Sequence, residues 1–309
     1  MNFLITGSGG FVGRHLVKRV KKKFPEAKIL GLYRSSLKQK VDNVVYKKVD
    51  LTDFRALFKI FNFFVPDYII HLAAESSVNY SWKNPANSLE NNLNIYLNFL
   101  EALRKLKLYP KILSVGSSEV YGKVSKKDLP ISENLNLNPL NPYAVFRVAQ
   151  ENISRVYNNS FDFNIIMTRS FNHFGQGQDH RFFIPNLIRQ ILDPEINNIK
   201  LGNLEIVRDY IYIQDVVDAY INLLFQGEKN NIYNVSTGKG YKLYQILEII
   251  EEITEVKKPT LTDPNLIRPS DNPIIIGDNS KIIRETGWTP KISLRGGLGR
   301  ILKDHKKIE

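Results

Sequence analysis

The chain has 309 residues, enough to bury a large core, and its 43% hydrophobic and 24% charged residues are ordinary for a soluble globular protein. It has no cysteine, which excludes disulfides, thiolate metal sites and a cysteine nucleophile. No stretch approaches the roughly 20 apolar residues of a membrane helix, and no signal peptide is visible, so we expect a cytoplasmic protein without membrane contact. The net charge of +12 lies largely in lysine runs without basic-aromatic motifs, so we expect solvated surface and no nucleic-acid partner.

The first half alternates apolar runs with segments of helical periodicity, which predicts an α/β fold with a doubly wound, Rossmann-like parallel sheet. Strands are expected at 2–6, 28–33, 44–49, 68–73, 111–116 and 163–168. Helices are expected from Phe11 onward and at 53–64, 91–106 and 142–158.

The alternation of predicted strands and helices ends at about residue 170. Beyond it the apolar segments are shorter and are separated by Gly, Asn, Asp and Pro. Helices are expected there at 183–192, 214–226, 243–254 and 294–304. We therefore expect residues 1–170 to form a dinucleotide-binding domain. Residues 171–309 are expected to form a smaller mixed α/β substrate domain, which exchanges some strands and helices with the first and closes over a cleft.

A glycine turn directly follows the first apolar run, with glycines at Gly7, Gly10 and Gly13. Such a turn leads a strand tightly into a helix whose free amides can face a pyrophosphate, with Phe11 and Val12 at the helix start. The spacing differs from the common Gly-x-Gly-x-x-Gly dinucleotide motif. Its place at the first strand nevertheless predicts a nucleotide cofactor and no metal.

The end of the second strand bears on the choice of cofactor. An acidic residue there would favour NAD, but the chain has Tyr33, Arg34 and Ser35. Arg34 could accommodate a 2′-phosphate or stack on adenine, so NAD and NADP both stay open. After the third strand, Asp50 and Leu51 would lie at the adenine, although Asp50 could equally cap the next turn.

The fourth strand ends in small residues where a cofactor backbone would pass, namely Leu72, Ala73 and Ala74. His71, just before them, is expected to be a packed strand histidine rather than a base.

Ser117 ends the fifth strand, and Tyr143 and Arg147 lie four residues apart on one face of the helix that begins at Pro142. A tyrosine ordinarily titrates near pH 10, so it needs a nearby cation to exchange a proton near neutral pH. We expect Arg147 to contribute that field, Ser117 to hold a substrate hydroxyl and Tyr143 to take or give its proton. The alternative is an ordinary helix aromatic beside a surface arginine.

Together these motifs resemble, over nearly the whole chain, the extended short-chain dehydrogenase/reductases that act on nucleotide sugars. The residues that carry the resemblance are Gly7, Gly10, Gly13, Asp50, Leu51, His71 to Ala74, Asn92, Ser117 to Glu119 and Tyr143. Further segments resemble the branch of GDP-4-keto-6-deoxy-mannose reductases and GDP-mannose 4,6-dehydratases: Arg169 to Gly175, Gly202 to Glu205, Arg208-Asp209, Arg268 to Asp271 and Gly277-Asp278. The resemblance to the reductases is the closer one, through Gly116 to Glu119 and Arg268 to Pro273.

The resemblance implies one tightly bound NAD or NADP per subunit, a GDP-sugar substrate and a homodimer or higher homo-oligomer that pairs through helices 91–106 and 142–158. It adds Asn92 to the cofactor site. It places substrate contacts at Ser76, Ser118, Asn172, Asn203, Arg208 and Arg268. Alternatively, Asn172 caps a turn and the two arginines form surface ion pairs; His173 is expected to be structural.

Two positions complicate this interpretation. The family usually has Ser-Lys where this chain has Phe146-Arg147, and the lysine normally binds the nicotinamide ribose. Arginine keeps the charge but does not deprotonate, so we expect cofactor binding to survive and proton exchange through this residue to be lost. Glu119 could remove the C5 proton in a dehydratase, or be a buried, hydrogen-bonded group.

The sequence thus predicts NAD(P)-dependent hydride transfer at C4 of a GDP-linked, manno-configured hexose or heptose, as a 4-keto reductase or a C4 dehydrogenase. Two alternatives stay open. One is a GDP-sugar 4,6-dehydratase that uses Glu119, and the other is a non-catalytic dinucleotide-binding regulator.

Overall fold

The computed structural model describes residues 1–266 and 272–305. Its strands form from short runs rich in apolar residues, as the pattern along the chain predicts. In chain order they are β1 (Asn2–Thr6), β2 (Lys28–Tyr33), β3 (Val45–Lys48), β4 (Tyr68–His71), β5 (Lys111–Ser117), β6 (Asn164–Ser170), β7 (Asn172–Phe174), β8 (Ile199–Leu201), β9 (Val207–Tyr212), β10 (Ile232–Val235), β11 (Gly240–Lys242), β12 (Thr260–Thr262) and β13 (Ile274–Ile275).

The helices are amphipathic and turn their apolar faces toward the sheet. They are α1 (Phe11–Lys23), α2 (Phe54–Phe63), α3 (Val78–Lys83), α4 (Pro85–Lys105), α5 (Pro142–Ser160), α6 (Phe183–Leu192), α7 (Ile213–Gln226), α8 (Leu243–Thr254), α9 (Ser280–Thr286) and α10 (Leu294–His305). Within the described residues, no helix combines the length and apolar character needed to cross a bilayer.

Seven parallel strands form the main sheet in the order β10-β6-β5-β4-β1-β2-β3. The strand order reverses between β1 and β4, which creates a crevice at the carboxyl edge. One apolar cluster, with α1 and α7, covers one face of the sheet, and another, with α2 and α4, covers the other. The predicted doubly wound α/β sheet is confirmed.

The second half of the chain adds two small sheets. In one, β9 pairs with β11, β13 and β7, antiparallel to the first and parallel to the other two. In the other, β8 pairs with β12. With the helices between them, these two sheets form the smaller mixed α/β part that the sequence predicts. The division into domains near residue 170 stays a prediction. One strand from beyond that division, β10, belongs to the main sheet.

Several boundaries differ from the predicted ones. The six strands predicted for the main sheet become seven, because the four-residue β10 is too short to stand out by periodicity. Helix α4 begins at Pro85 rather than residue 91, since its first two turns are mostly polar and carry no apolar stripe. Strand β4 ends at His71 rather than residue 73, because its pairing with β1 ends there.

A buried ion pair joins α5 to β6. Arg169 donates from Nε and Nη2 to the two carboxylate oxygens of Glu151, at 2.9 and 2.8 Å. The two side chains are only 3% and 4% exposed. Nη1 of Arg169 donates to the carbonyl of Glu133, and the guanidinium lies over the ring of Tyr121. The pair therefore fixes α5 against the sheet.

Replacing Glu151 with glutamine leaves the buried charge of Arg169 without its counterion. We expect the free energy of unfolding to fall by about 3–5 kcal/mol, measured by urea denaturation. Asp218→Asn is the matched control, because Asp218 pairs with Arg19 through side chains 32% and 41% exposed. The control should lose at most about 1 kcal/mol. Equal losses in the two variants would contradict the structural role given to the buried pair.

Candidate active site

The glycine turn brings the start of α1 close to β1 and β4. Gly7 has φ +69°, a left-handed conformation that favours glycine. A Cβ on Gly13 would lie 2.2 Å from the Gly7 carbonyl oxygen, so only glycine fits this close approach. Among the described residues no side chain caps α1, and the first turn of the helix has no acidic residue. The helix start therefore offers backbone amides to an anion, as a pyrophosphate requires.

Side chains at the start of α1 face the protein rather than the crevice. The ring of Phe11 stacks on His173, with ring centroids 6.1 Å apart. Arg14 donates to the Gly177 carbonyl at 2.8 Å. Cofactor contact at Phe11 and Val12 stays a prediction, and the structure agrees with a packing role for His173.

At the adenine end, Asp50 performs the capping role that the sequence left open. Its Oδ1 accepts hydrogen bonds from the backbone N–H and the hydroxyl of Thr52, at 2.9 and 2.8 Å. These bonds, and more weakly the charge of Arg34, hold the pKa of Asp50 below its usual value. Arg34 itself is exposed, and the side chain of Leu51 is buried in the core. Both hydrogen bonds found for the Asp50 carboxylate among the described residues are made by Oδ1, and a contact between Asp50 and a cofactor stays a prediction.

His71 is a neutral packed histidine. The hydroxyl of Thr6 accepts from the backbone N–H groups of Leu72 and Ala73, so its proton goes to Nδ1 of His71 at 3.1 Å. Burial, and to a smaller extent the nearby charge of Arg147, lower the pKa of His71 to about 3. The prediction of a packed strand histidine is confirmed, and the bond to Thr6 fixes the turn that contains Ala73.

Asn92 acts on the loop that follows β4. Its Oδ1 accepts from the Glu75 backbone N–H at 2.7 Å, and its Nδ2 donates to the Glu75 carbonyl at 3.2 Å. The Asn92 amide therefore shapes the backbone between half-buried Ala74 and exposed Ser76. A direct contact between Asn92 and a cofactor stays a prediction.

The centre of the site is a hydrogen bond between the two α5 residues. Nε of Arg147 donates to the phenol oxygen of Tyr143 at 2.9 Å. Nη1 of Arg147 donates to the Val115 carbonyl at 2.8 Å and to Oε1 of Gln150 at 2.7 Å. Arg147 is 5% exposed, and its guanidinium also lies over the rings of Tyr143 and Phe146. The alternative of a surface arginine is wrong.

The charge of Arg147 has no carboxylate partner among the described residues. The titratable groups packed around it are neutral. Burial raises the pKa of Tyr96 to about 12, and burial also raises the pKa of Tyr220. With His71 neutral as well, the groups around the guanidinium are uncharged, and its Nε donates to the phenol oxygen of Tyr143.

Ser117 and Glu119 lie in the turn that follows β5. The hydroxyl oxygen of Ser117 accepts from the Glu119 backbone N–H at 3.3 Å, which leaves its proton for another acceptor. Oε2 of Glu119 accepts from the amide of Asn141 at 2.9 Å, and Asn141 in turn caps α5. Glu119 is exposed, so the alternative of a buried glutamate is wrong. Ser118 is buried.

The predicted substrate residues lie in the second half of the chain. Asn172 and Asn203 are exposed, and Oδ1 of Asn203 accepts from the Glu205 backbone N–H. Arg208 is half-buried, and its Nη1 donates to the carbonyls of Val207 and Asn272 at 2.9 and 2.7 Å. Arg268 lies outside the described residues. Substrate contact at these positions stays a prediction.

Three residues were missed by the sequence analysis. Gln150 and Asn141 hold Arg147 and Glu119 respectively. Asn272 donates to the Gly122 carbonyl and accepts from the Val124 N–H, so it joins the loop after β5 to Arg208. Asn141 carries a detectable signal, since it stands at the N-cap before Pro142. Gln150 and Asn272 carry none that spacing reveals.

A model of the GDP-mannose 4,6 dehydratase family matches residues 4–301. GDP-6-deoxy-D-mannose reductase of Pseudomonas aeruginosa is 34% identical over 244 residues, which cover 78% of this chain and 80% of that protein. GDP-6-deoxy-D-talose 4-dehydrogenase of Aggregatibacter actinomycetemcomitans is 30% identical and covers 93% of this chain and 92% of that protein.

Solved structures share the fold over its full length. The structure of RMD from Pseudomonas aeruginosa complexed with NADPH matches with a TM-score of 0.89 at 30% identity, and covers 100% of this chain and 99% of that one. UDP-glucose 4-epimerase of Thermotoga maritima with UDP-glucose matches with a TM-score of 0.91 at 27% identity, and covers 100% of both chains.

The close approach of Gly13 to Gly7 gives a test of the anion site. A Gly13→Ala substitution forces the turn open, because the new Cβ would meet the Gly7 carbonyl. We expect NAD(P)H affinity to fall on the order of tenfold or more, a cost above about 1.4 kcal/mol, measured by nicotinamide fluorescence titration. Gly299→Ala in α10 is the control, since a Cβ there meets nothing within 4 Å. Undiminished affinity in Gly13→Ala would place the cofactor elsewhere.

Proposed function

Because the chain belongs to the GDP-mannose 4,6-dehydratase family of extended short-chain dehydrogenase/reductases, as the sequence predicts, we propose that it transfers hydride at C4 of a GDP-linked, manno-configured sugar. The chain is thus an NAD(P)-dependent nucleotide-sugar oxidoreductase. The observation that carries the proposal is the hydrogen bond from buried Arg147 to the phenol of Tyr143, at the carboxyl edge of β5. The names of both relatives support a GDP-linked sugar as the substrate, and the name of the talose 4-dehydrogenase supports C4 as the reacting position.

The residues present fit a dinucleotide. The glycine turn and the uncapped start of α1 would hold the pyrophosphate, and Asp50 with Arg34 would lie at the adenosine. Among the described residues, Nη2 of Arg147 has no protein acceptor, so it would bind the nicotinamide ribose in place of the family's lysine. When bound, a nicotinamide cofactor supplies or accepts the hydride. Arg34 and the lack of an acid after β2 leave NAD and NADP both admissible.

Protein side chains transfer the proton to or from the sugar O4. Ser117 donates a hydrogen bond to the sugar O4, and Tyr143 gives its proton to O4 during reduction of a 4-keto sugar. In the opposite direction, the phenolate accepts the proton of a 4-hydroxyl. In both directions the guanidinium of Arg147 stabilises the negative charge on the phenol oxygen through Nε. The direction in the cell depends on the substrate supplied.

A second candidate function is 4,6-dehydration. Glu119 is exposed at the crevice end of β5, and only its Oε2 is engaged, by Asn141. Such a carboxylate can remove a proton at C5 once C4 is oxidised. Elimination releases water and gives a 4-keto-6-deoxy product, so the mass of the product distinguishes the two reactions. A non-catalytic regulator would bind the cofactor without consuming any sugar.

We propose a homodimer that pairs through α4 and α5. Val145 and Val156 are 44% and 52% exposed, and they lie three turns apart on the outer face of α5. Apolar side chains at this spacing are suited to a matching helix from a second copy. Sedimentation velocity gives the mass of the particle, and a monomer at micromolar concentration would contradict the pairing.

The direct experiment releases the cofactor from purified protein, identifies it, and then titrates GDP-sugars while following nicotinamide absorbance. We expect turnover whose product differs from the substrate by two hydrogens. Tyr143→Phe is the matched variant, because it keeps the ring over Arg147 and removes only the hydroxyl. We expect it to bind cofactor normally and to lose activity on the order of 10²–10⁴-fold. An active Tyr143→Phe enzyme would remove Tyr143 from the chemistry.

A further inference from the structure

We propose that Gln150 is the positioning residue that directs the guanidinium of Arg147 onto the phenol of Tyr143. The inference rests on the proposed function, because it concerns the same site. It concerns how an arginine, rather than the family's lysine, is held beside the phenol of Tyr143.

Gln150 lies one turn after Arg147 on α5 and is 2% exposed. Its Oε1 accepts from Nη1 of Arg147 at 2.7 Å, and its Nε2 donates to the hydroxyl of Ser114 at 2.8 Å. The side-chain amide therefore spans from the arginine to β5. The orientation of the amide follows from its partners, since a guanidinium can only donate.

Because the guanidinium is planar, its hydrogen bond to Gln150 also sets the direction of its other N–H bonds. The Val115 carbonyl and Oε1 of Gln150 take both protons of Nη1. Because the three nitrogens of a guanidinium are coplanar, fixing Nη1 also fixes the direction of the Nε–H bond. That bond points at the phenol oxygen of Tyr143 over 2.9 Å. Without Gln150, one proton of Nη1 loses its acceptor and the guanidinium can rotate away.

The neutrality of Gln150 matters as much as its geometry. A carboxylate at this position would neutralise Arg147, whereas an amide orients it and leaves its charge for the phenol. The next residue, Glu151, does carry a carboxylate, but it is paired with Arg169. His71 on β4, Tyr96 on α4 and Tyr220 on α7 face Arg147 from other elements, and all three are neutral. The carboxylate of Glu119, after β5, accepts a hydrogen bond from the amide of Asn141.

The test compares Gln150→Met, Gln150→Glu and the control Gln190→Met with the wild-type enzyme. Gln190 is also a buried helical glutamine, but it bonds the backbone of Lys200, away from the site. The first measurement is the ionisation midpoint of Tyr143, followed as tyrosinate absorbance in the cofactor complex with Tyr143→Phe as the baseline. It needs no sugar substrate, so it stands even if the proposed reaction fails. The second is the pH profile of kcat with the best GDP-sugar.

We expect both Gln150 variants to raise the midpoint of Tyr143, because a misdirected or neutralised cation stabilises phenolate less. Gln150→Glu should raise it further, although it preserves size and the acceptor oxygen. The limb of the kcat profile should move to higher pH by the same amount, and kcat should fall about tenfold with KM little changed. Gln190→Met should match the wild type in both measurements.

Two results would overturn the inference. One is a Tyr143 midpoint in both Gln150 variants that equals the wild-type value. The other is a Gln150→Glu enzyme that behaves as wild type while Gln150→Met loses thermal stability, which is the order expected of a purely structural hydrogen bond. Failure of the proposed function looks different: the wild-type enzyme would then turn over no GDP-sugar, whatever residue stands at position 150.

Discussion

A buried cation that has no counterion among the described residues is the constraint around which this site is built. Burying an unpaired charge costs several kcal/mol, so a fold retains one only where other groups satisfy it. Arg147 is satisfied by a carbonyl, an amide oxygen and a phenol, all neutral. An anion on the phenol oxygen would complete the pair.

The parallel sheet supplies the geometry for this arrangement. Strand β5 contributes the Val115 carbonyl and places Ser117 two residues further along, at the edge where ligands bind in such sheets. The next strand toward the switch point, β4, carries neutral His71, which lies near enough to feel the charge of Arg147, and β1 leads to the glycine turn. Because neighbouring parallel strands end together, the glycine turn after β1 and the Arg147 contact at the end of β5 lie at the same edge of the sheet.

Periodicity and glycine spacing predict the sheet, most helices and the pairing of Tyr143 with Arg147, because these depend on residues near in sequence. Spacing does not predict strand β10 at the edge of the main sheet, because this short strand is defined by its tertiary pairing with β6. Nor does it predict that Gln150 reaches Ser114, or that Asn272 bonds Arg208, since these contacts join distant segments. The exposure of Glu119 likewise depends on the fold of the turn after β5.

Single-turnover hydride transfer in Arg147→Lys, measured across pH against the wild type, tests the central claim most directly. An ammonium has no planar fork, so it cannot hold Val115, Gln150 and the phenol in the same arrangement, and it can itself titrate. We expect slower hydride transfer and an altered pH profile in the lysine enzyme, with cofactor affinity preserved. Superimposable rates and profiles for the two enzymes would contradict it.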